Sequence, residues 1–355
     1  MIIQRELLLN RLIQAKSHHL IKILVGMRRC GKSFLLFTIF KQHLLDSGVS
    51  PDHIVEIDLE SDDFLFCRDA ITLGKQIRAR LPSDNSPCYV LIDEIQHAEP
   101  ILPEGTDLSR FHPKDRKNAY ITFYHVLNGL LKRNNVSTYV TGSNARLLSS
   151  DVATEFRGRS EIIEINPLSF AEFYPLMKGS AEFKEIIDSY FIFGGLPECA
   201  LLNTDEEKSN YLTNLIKTIY LKDVVERHNL KFRQIESSHL MENVVFNELM
   251  RRGYSVDVGM VTTNPVVNGA RTQVTSEIDF VINKASERIY VQSAFSIPDP
   301  GKREQETYSL RHVRDSFRKI VITGDPYERP WMDRNGITFM GLKAFLLDPQ
   351  SLETL

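Results

Sequence analysis

The sequence predicts an α/β protein: a parallel sheet with helices on both faces, then a mainly helical stretch, then a second and smaller α/β unit. Three observations carry this expectation. Short apolar runs alternate with helical patterns through the first half of the chain, which is the signature of a parallel sheet. After about residue 168 the reading is almost all helix, and strands return only beyond a further helix that ends at Gly253. The chain has 355 residues, 42% hydrophobic and 25% charged, which suits two or three folded domains and excludes wholesale disorder, collagen and a disulfide scaffold.

Taken in order, IKILVG (21–26) is a short apolar strand ending in glycine, and a helix pattern runs from Lys32 to a glycine stop near Gly48. HIVEIDLE reads as a second strand, DAITLGKQIRARL as a helix, and LPSDNSP as a turn. CYVLIDEI is a buried strand by its apolar run. Residues 98–116, rich in proline, glycine and charge, form a loop. NAYITFYHVLNGLLKRNN is helical, STYVTGSN a strand, ARLLSSDVATEF a helix and SEIIEINPLS a strand. From SFAEFYPLM to about Asn229 the pattern is helical and broken at GGLP (194–197). The helix QIESSHLMENVVFNELMRRG follows, then strands YSVDVGMV, SEIDFVIN and RIYVQSAF, a helix over 302–318, and strands KIVITGD and GITFM.

Net charge is -3, so no global basic excess points to nucleic acid or an anionic membrane. The opening MIIQRELLLNRLIQ is interrupted by charge and reads as an amphipathic helix, and no apolar run approaches the ~20 residues of a membrane span. Cys30, Cys67, Cys88 and Cys199 show no ligand spacing, so a reduced, cytoplasmic setting is expected.

Four motifs carry chemistry. GMRRCGKS (26–33) fits G-x-x-x-x-G-K-[ST] between a strand and a helix. Gly26 and Gly31 let the backbone of Met27, Arg28, Arg29 and Cys30 curl with N–H groups inward. The helix starting at Lys32, Ser33 and Phe34 adds its N-terminal dipole to a phosphate site. Lys32 should reach the β- and γ-phosphates of ATP, and Ser33 should ligate Mg²⁺. CYVLIDEI places Asp93 to complete the Mg²⁺ shell and Glu94 to polarise an attacking water. In STYVTGSN, Ser143 and Asn144 are placed to read the γ-phosphate, although a turn capping the next helix explains the same pair. In EFRGRS, Arg157 or Arg159 is a candidate to neutralise transition-state charge, in cis or from a neighbouring copy, with plain surface arginines as the alternative.

GMRRCGKSFLL, YVLIDEIQ, VTGSNARLLSSDVATEFRGRSEIIEINPLSFAEF and GGLPE together resemble the bacterial and archaeal AAA-type ATPases that carry a C-terminal domain of unknown function. That tail domain is similar to the restriction-endonuclease fold, and ENVVFNELMRRGYSVDVG, EIDFVIN and YVQSAF match it. The resemblance implies an AAA-like P-loop core over 1–167, a helical lid over 168–232 and a nuclease-like α/β domain over 233–355.

Two departures qualify it. Family members usually carry a winged-helix-like segment before the tail, whereas LKDVVERHNLKF (221–232) here runs almost directly into QIESSHLMENVVFNEL. Glu248 and Asp279 align with the first two carboxylates of the nuclease-like site, but Gln292-Ser293-Ala294 stands where (D/E)-x-K is required. No nuclease activity is therefore expected. Residues 233–355 hold 15 Lys/Arg against 16 Asp/Glu, so bulk charge gives no nucleic-acid signal. Arg311, Arg314 and Arg318 recur at helical spacing and would make one basic stripe, which reads first as an ordinary solvated helix face. The expectation is an ATP-binding, Mg²⁺-dependent AAA-type ATPase with a degenerate nuclease-like tail. The alternative is a nucleotide-dependent switch with little hydrolysis, binding DNA or protein. Expected partners are ATP, a protein or DNA at the tail, and further copies of the chain, with no membrane.

Overall fold

The protein is described by a computed structural model covering residues 3–353 except 111, 113–115, 117, 144–155, 157, 180, 217–236, 265, 268–269, 272, 286 and 325–328. The chain divides into two compact units. One contains Met1–Leu168 and Gly195–Leu201, the other Ser169–Gly194 and Leu202–Leu355.

In the first unit α1 (Glu6–Ala15) precedes β1 (Ile21–Gly26), and the helix after it forms in three consecutive pieces. These are α2 (Lys32–Phe34), a π-helical stretch (Leu35–Phe40) and α3 (Lys41–Asp46). The run stops at Gly48, whose φ of 87° lets its N–H return to the Leu45 carbonyl, so the expected stop holds. Then come β2 (Ile54–Asp58), α4 (Ala70–Arg80), β3 (Cys88–Asp93), α5 (Phe123–Leu130), β4 (Val136–Ser143) and β5 (Ser160–Glu164). The expected loop 98–116 is closed by a bridge between Ile101 and Ile121. The expected helix ARLLSSDVATEF lies outside the described residues up to Glu155.

All pairings in this sheet are parallel, in the order β2-β3-β4-β1-β5. Both faces are covered, as the near-continuous apolar strands require. Every residue of β1 is buried: Ile21, Ile23 and Val25 face a core shared with Leu73 and Ile77 of α4 and Leu127 of α5. On the other face Leu24 joins Leu8 and Leu12 of α1, Leu36, Phe40 and Tyr139. Lys22 is the polar exception. It donates to the His18 carbonyl at 2.6 Å, sits 5.3 Å over the Tyr139 ring, and burial pushes it down to about 8.

The chain then enters the second unit with α6 (Phe170–Met177) and α7 (Phe183–Phe193). A capping box starts α6: Ser169 N–H donates to Glu172 Oε2 at 2.8 Å while Glu172 N–H donates to Ser169 Oγ at 3.2 Å. The chain returns to the first unit for the short α8 (Pro197–Ala200), then continues in the second with α9 (Asp205–Leu215) and α10 (Ser237–Arg251). Strands β6 (Ser255–Thr263), β7 (Val266–Val267), β8 (Ala270–Arg271), β9 (Val274–Lys284) and β10 (Glu287–Ala294) follow. Last come α11 (Pro300–Arg311), β11 (Arg318–Thr323), β12 (Trp331–Met332), β13 (Ile337–Gly341) and α12 (Leu342–Leu347). Six strands form a mixed sheet in the order β12-β13-β11-β10-β9-β6, while β7 and β8 pair separately. The second α/β unit is therefore real.

One expectation fails within it. The helix over 302–318 ends at Arg311, so Arg311, Arg314 and Arg318 share no stripe. The reason is local: the Asp315 carboxylate accepts the Phe317 N–H at 3.2 Å, which turns the chain, and Arg318 then opens a strand.

Candidate functional site

The glycine-rich loop leaves the C-terminal end of β1, which lies between β4 and the edge strand β5. Gly26 must lack a side chain, since a Cβ there would lie 2.1 Å from the Ile165 carbonyl oxygen. Gly31 has φ of 89°, in the left-handed region, and so does the non-glycine Arg29 at 64°. These turns curl the loop. Lys32 is buried, and its Nζ donates to the Gly26 carbonyl at 3.0 Å and the Met27 carbonyl at 3.1 Å, inside the curl. Cys30 points the other way: its thiol is fully buried and donates to the Ile165 carbonyl at 3.1 Å. Burial pushes that thiol up, so Cys30 serves the loop's packing. Arg28 and Phe34 are exposed.

Asp93 ends β3, two strands from the loop, with β4 between. The Ser33 side chain lies close enough to the Asp93 carboxylate to favour its charged form, so the two residues expected to share Mg²⁺ face one site. The Thr141 hydroxyl donates to the same carboxylate. Burial raises the Asp93 carboxyl above its ordinary range, the Ser33 and Thr141 hydroxyls oppose that, and the neighbouring Glu94 and Asp58 charges add to it. Asp58 pairs with Asp93 in register across β2 and β3. Glu94 stands in the left-handed region with φ of 50°. Its N–H donates to Thr141 Oγ1 at 3.0 Å and its carboxylate accepts the Gln96 side-chain amide.

Ser143 closes β4 and pairs in register with Gly26, which sets it at the base of the loop. Asn144 and Arg157 lie outside the described residues. Arg159 is exposed and sits at the opposite end of the strands, where its carbonyl accepts the Ile21 N–H at 3.0 Å at the start of β1. The six residues of β1 separate it from the loop, about 20 Å at strand rise. It therefore does not join the site of its own chain.

Sequence reading missed three residues that build this centre. Thr141, fully buried, fixes both acidic residues, and the only signal was a hydroxyl inside the strand STYVTGSN. Gln96 holds Glu94. Arg5, buried at the start of α1, donates to the Cys30 carbonyl at 3.0 Å and to the Asn166 and Pro167 carbonyls at 2.7 and 3.2 Å. It thus ties the loop to the end of β5.

The second unit also contains a half-buried carboxylate. Asp279 on β9 accepts the Gln292 amide at 2.8 Å and the Ser293 N–H at 2.7 Å, and burial pushes it up to about 6. The carboxylates that further disfavour its charge are Glu242 and Glu306. Glu248 is committed elsewhere: Arg251 binds it at 2.6 and 2.9 Å and Arg252 at 2.7 Å. A cavity of about 330 Å³ beside Gln292 is lined by Glu277, Glu304 and Glu306 among others. Among the described residues no group of three or more His, Cys, Asp or Glu is arranged to hold a metal ion. All four cysteines are buried, and no described helix is long and apolar enough to cross a membrane.

Comparison with known proteins agrees with the first unit's geometry. An uncharacterized protein of Haemophilus influenzae is 27% identical over 421 residues, covering 93% of this chain and 96% of its own. That alignment is longer than this chain, so the relative carries stretches with no counterpart here. An uncharacterized protein of Methanocaldococcus jannaschii is 27% identical over 261 residues, covering 69% of this chain and 51% of its own, so the chain spans about half of that relative. AMPPCP-bound DnaA from Aquifex aeolicus superposes with a TM-score of 0.35 at 16% identity, over 69% of this chain and 65% of its own, too distant for residues to be carried across. Residues 18–174, which hold all five strands and the loop, match the family model of the AAA domain, so the first unit contains an AAA-type P-loop domain.

Proposed function

We propose that the chain is a Mg²⁺-dependent ATPase of the AAA type. The observation that carries this reading is the loop that buries Lys32 inside its curl and brings the next residue, Ser33, close to the Asp93 carboxylate, with Glu94 one residue on. The donor set is one hydroxyl and one carboxylate, both hard oxygens. That suits Mg²⁺, which takes few protein ligands and completes its shell with water and phosphate. Mg²⁺ held there would offset charge on the β- and γ-phosphates. Lys32 would exchange its two carbonyl partners for phosphate oxygens, charge for charge a stronger bond. Glu94 would take the proton side of an attacking water, held in place through its backbone by Thr141. Ser143 and Asn144 would read the γ-phosphate, and Arg159 or Arg157 would act on the site of a neighbouring copy.

One observation favours a second reading, a nucleotide-dependent switch with little basal hydrolysis: the Gln96 amide already occupies the Glu94 carboxylate. We assign the tail, 233–355, to binding or structure and not to DNA cleavage. Asp279 is satisfied by an amide and a backbone N–H, and Gln292-Ser293-Ala294 supplies neither the second carboxylate nor the lysine that cleavage needs. Phosphate release by the purified chain, with and without Lys32→Ala, tests the first reading. Unchanged nucleotide binding and turnover in the variant would refute the site. Gel shift and pull-down with and without ATP test the second, and ATP-independent behaviour in both would sink it.

A further inference from the structure

Residues 195–201 return to the first unit although the chain on either side belongs to the second. The return is anchored. Leu196, Cys199 and Ala200 are buried. The Leu168 N–H donates to the Gly195 carbonyl at 2.7 Å, and a Cβ on Gly195 would lie 2.1 Å from the Leu168 carbonyl oxygen, so only glycine permits this approach. The segment meets the phosphate loop at two points. The Pro197 ring lies 3.6 Å from where a side chain on Gly31 would begin, and Arg29 Nη1 donates to Glu198 Oε2 at 2.6 Å.

We propose that this returning segment is a wall of the nucleotide site and that Glu198, acting through Arg29, sets how tightly the loop holds a polyphosphate. The inference rests on the nucleotide reading above. Arg29 belongs to the loop, and its guanidinium suits carboxylate and phosphate oxygens alike. A carboxylate fixed on that guanidinium offsets a positive charge that would otherwise favour the bound anion. The offset grows with the charge of the ligand, so it weighs more on a triphosphate than on a diphosphate. Glu198 is held by an anchored backbone, so its carboxylate stays near the loop whether or not phosphate is present. Both side chains are about half exposed, which limits the effect to a few-fold.

The test is equilibrium binding of ATP and ADP to the full chain with Mg²⁺ at low ionic strength. It compares the wild type, Glu198→Gln, Glu198→Ala, Arg29→Gln and the double variant Arg29→Gln/Glu198→Gln. Glu198→Gln and Glu198→Ala should each tighten ATP about three- to fivefold, and ADP less. Glu198→Gln should do nothing in the Arg29→Gln background. Equal ATP affinities of the wild type and both Glu198 variants would overturn the inference while leaving the nucleotide site standing. So would the same gain without Arg29. Absence of nucleotide binding by the wild type itself would overturn the nucleotide reading and this inference together.

Discussion

Asp93 and Asp279 make an instructive pair. Each is a carboxylate on a sheet strand, Asp93 buried and Asp279 half-buried, and desolvation raises both above the ordinary aspartate range. Their partners differ. Asp93 accepts from the Thr141 hydroxyl, has the Ser33 hydroxyl close by, and stands one residue from a second carboxylate. A hydroxyl can turn its oxygen toward a cation and remain beside the carboxylate, so this arrangement converts to metal binding by rotation alone. Asp279 is met by the Gln292 amide and the Ser293 backbone N–H. The backbone N–H can only donate and cannot turn away, so a metal at Asp279 would have to displace it. The nature of the donors, more than the depth of burial, separates a carboxylate that can take a cation from one that is structurally consumed.

The largest expected effect falls on the first of the pair. Lys32→Ala should lower ATP turnover by about two to three orders of magnitude and weaken nucleotide binding, measured by phosphate release and equilibrium binding. Glu94→Gln should lower turnover by about two orders of magnitude or more while nucleotide binding persists, which separates chemistry from capture. A Glu94→Gln chain that hydrolyses ATP normally would remove Glu94 from the mechanism.

Thr141→Val tests the hydroxyl argument more finely. It removes a donor to Asp93 and an acceptor for the Glu94 N–H, so turnover should fall about tenfold, and Thr141→Ser should recover most of it. Asp279→Asn should leave turnover unchanged and act only on stability. The folded form raises the Asp279 carboxyl to about 6, so its contribution is present at low pH and is lost as pH rises through that value. The variant should therefore gain on the wild type by about 3 kcal/mol by pH 8 and by little at pH 4, read as the difference between denaturant unfolding curves. A constant difference across pH would contradict the assignment. Neither protein should nick plasmid DNA in Mg²⁺ or Mn²⁺.

Much of the first unit was legible because its signals are local. A strand, a glycine loop and a helix appear in succession between 21 and 46, and alternation alone gives a parallel sheet. The second unit was legible as strands and helices, but its helix end at Arg311 depended on one aspartate turn. The site residues that escaped were those whose role exists only across strands. Thr141 matters because β4 lies beside β3, and Glu198 because the chain comes back 165 residues after the loop. The resemblance paired Glu248 with Asp279, whereas two adjacent arginines claim Glu248 and the charges felt at Asp279 come from Glu242 and Glu306.

The return of residues 195–201 to the first unit bears on how the protein is made. Synthesis runs from the N-terminus, and domains generally fold as they emerge. Here the first unit cannot close its surface until residue 201 has been added, and by then α6 and α7 of the second unit have already left the ribosome. A fragment ending at Leu168 would lack Leu196, Cys199 and Ala200 and leave their apolar seat open to water. The AAA-type domain is thus not a module that a stop codon can cut out: its last piece is delivered only after the next unit has begun.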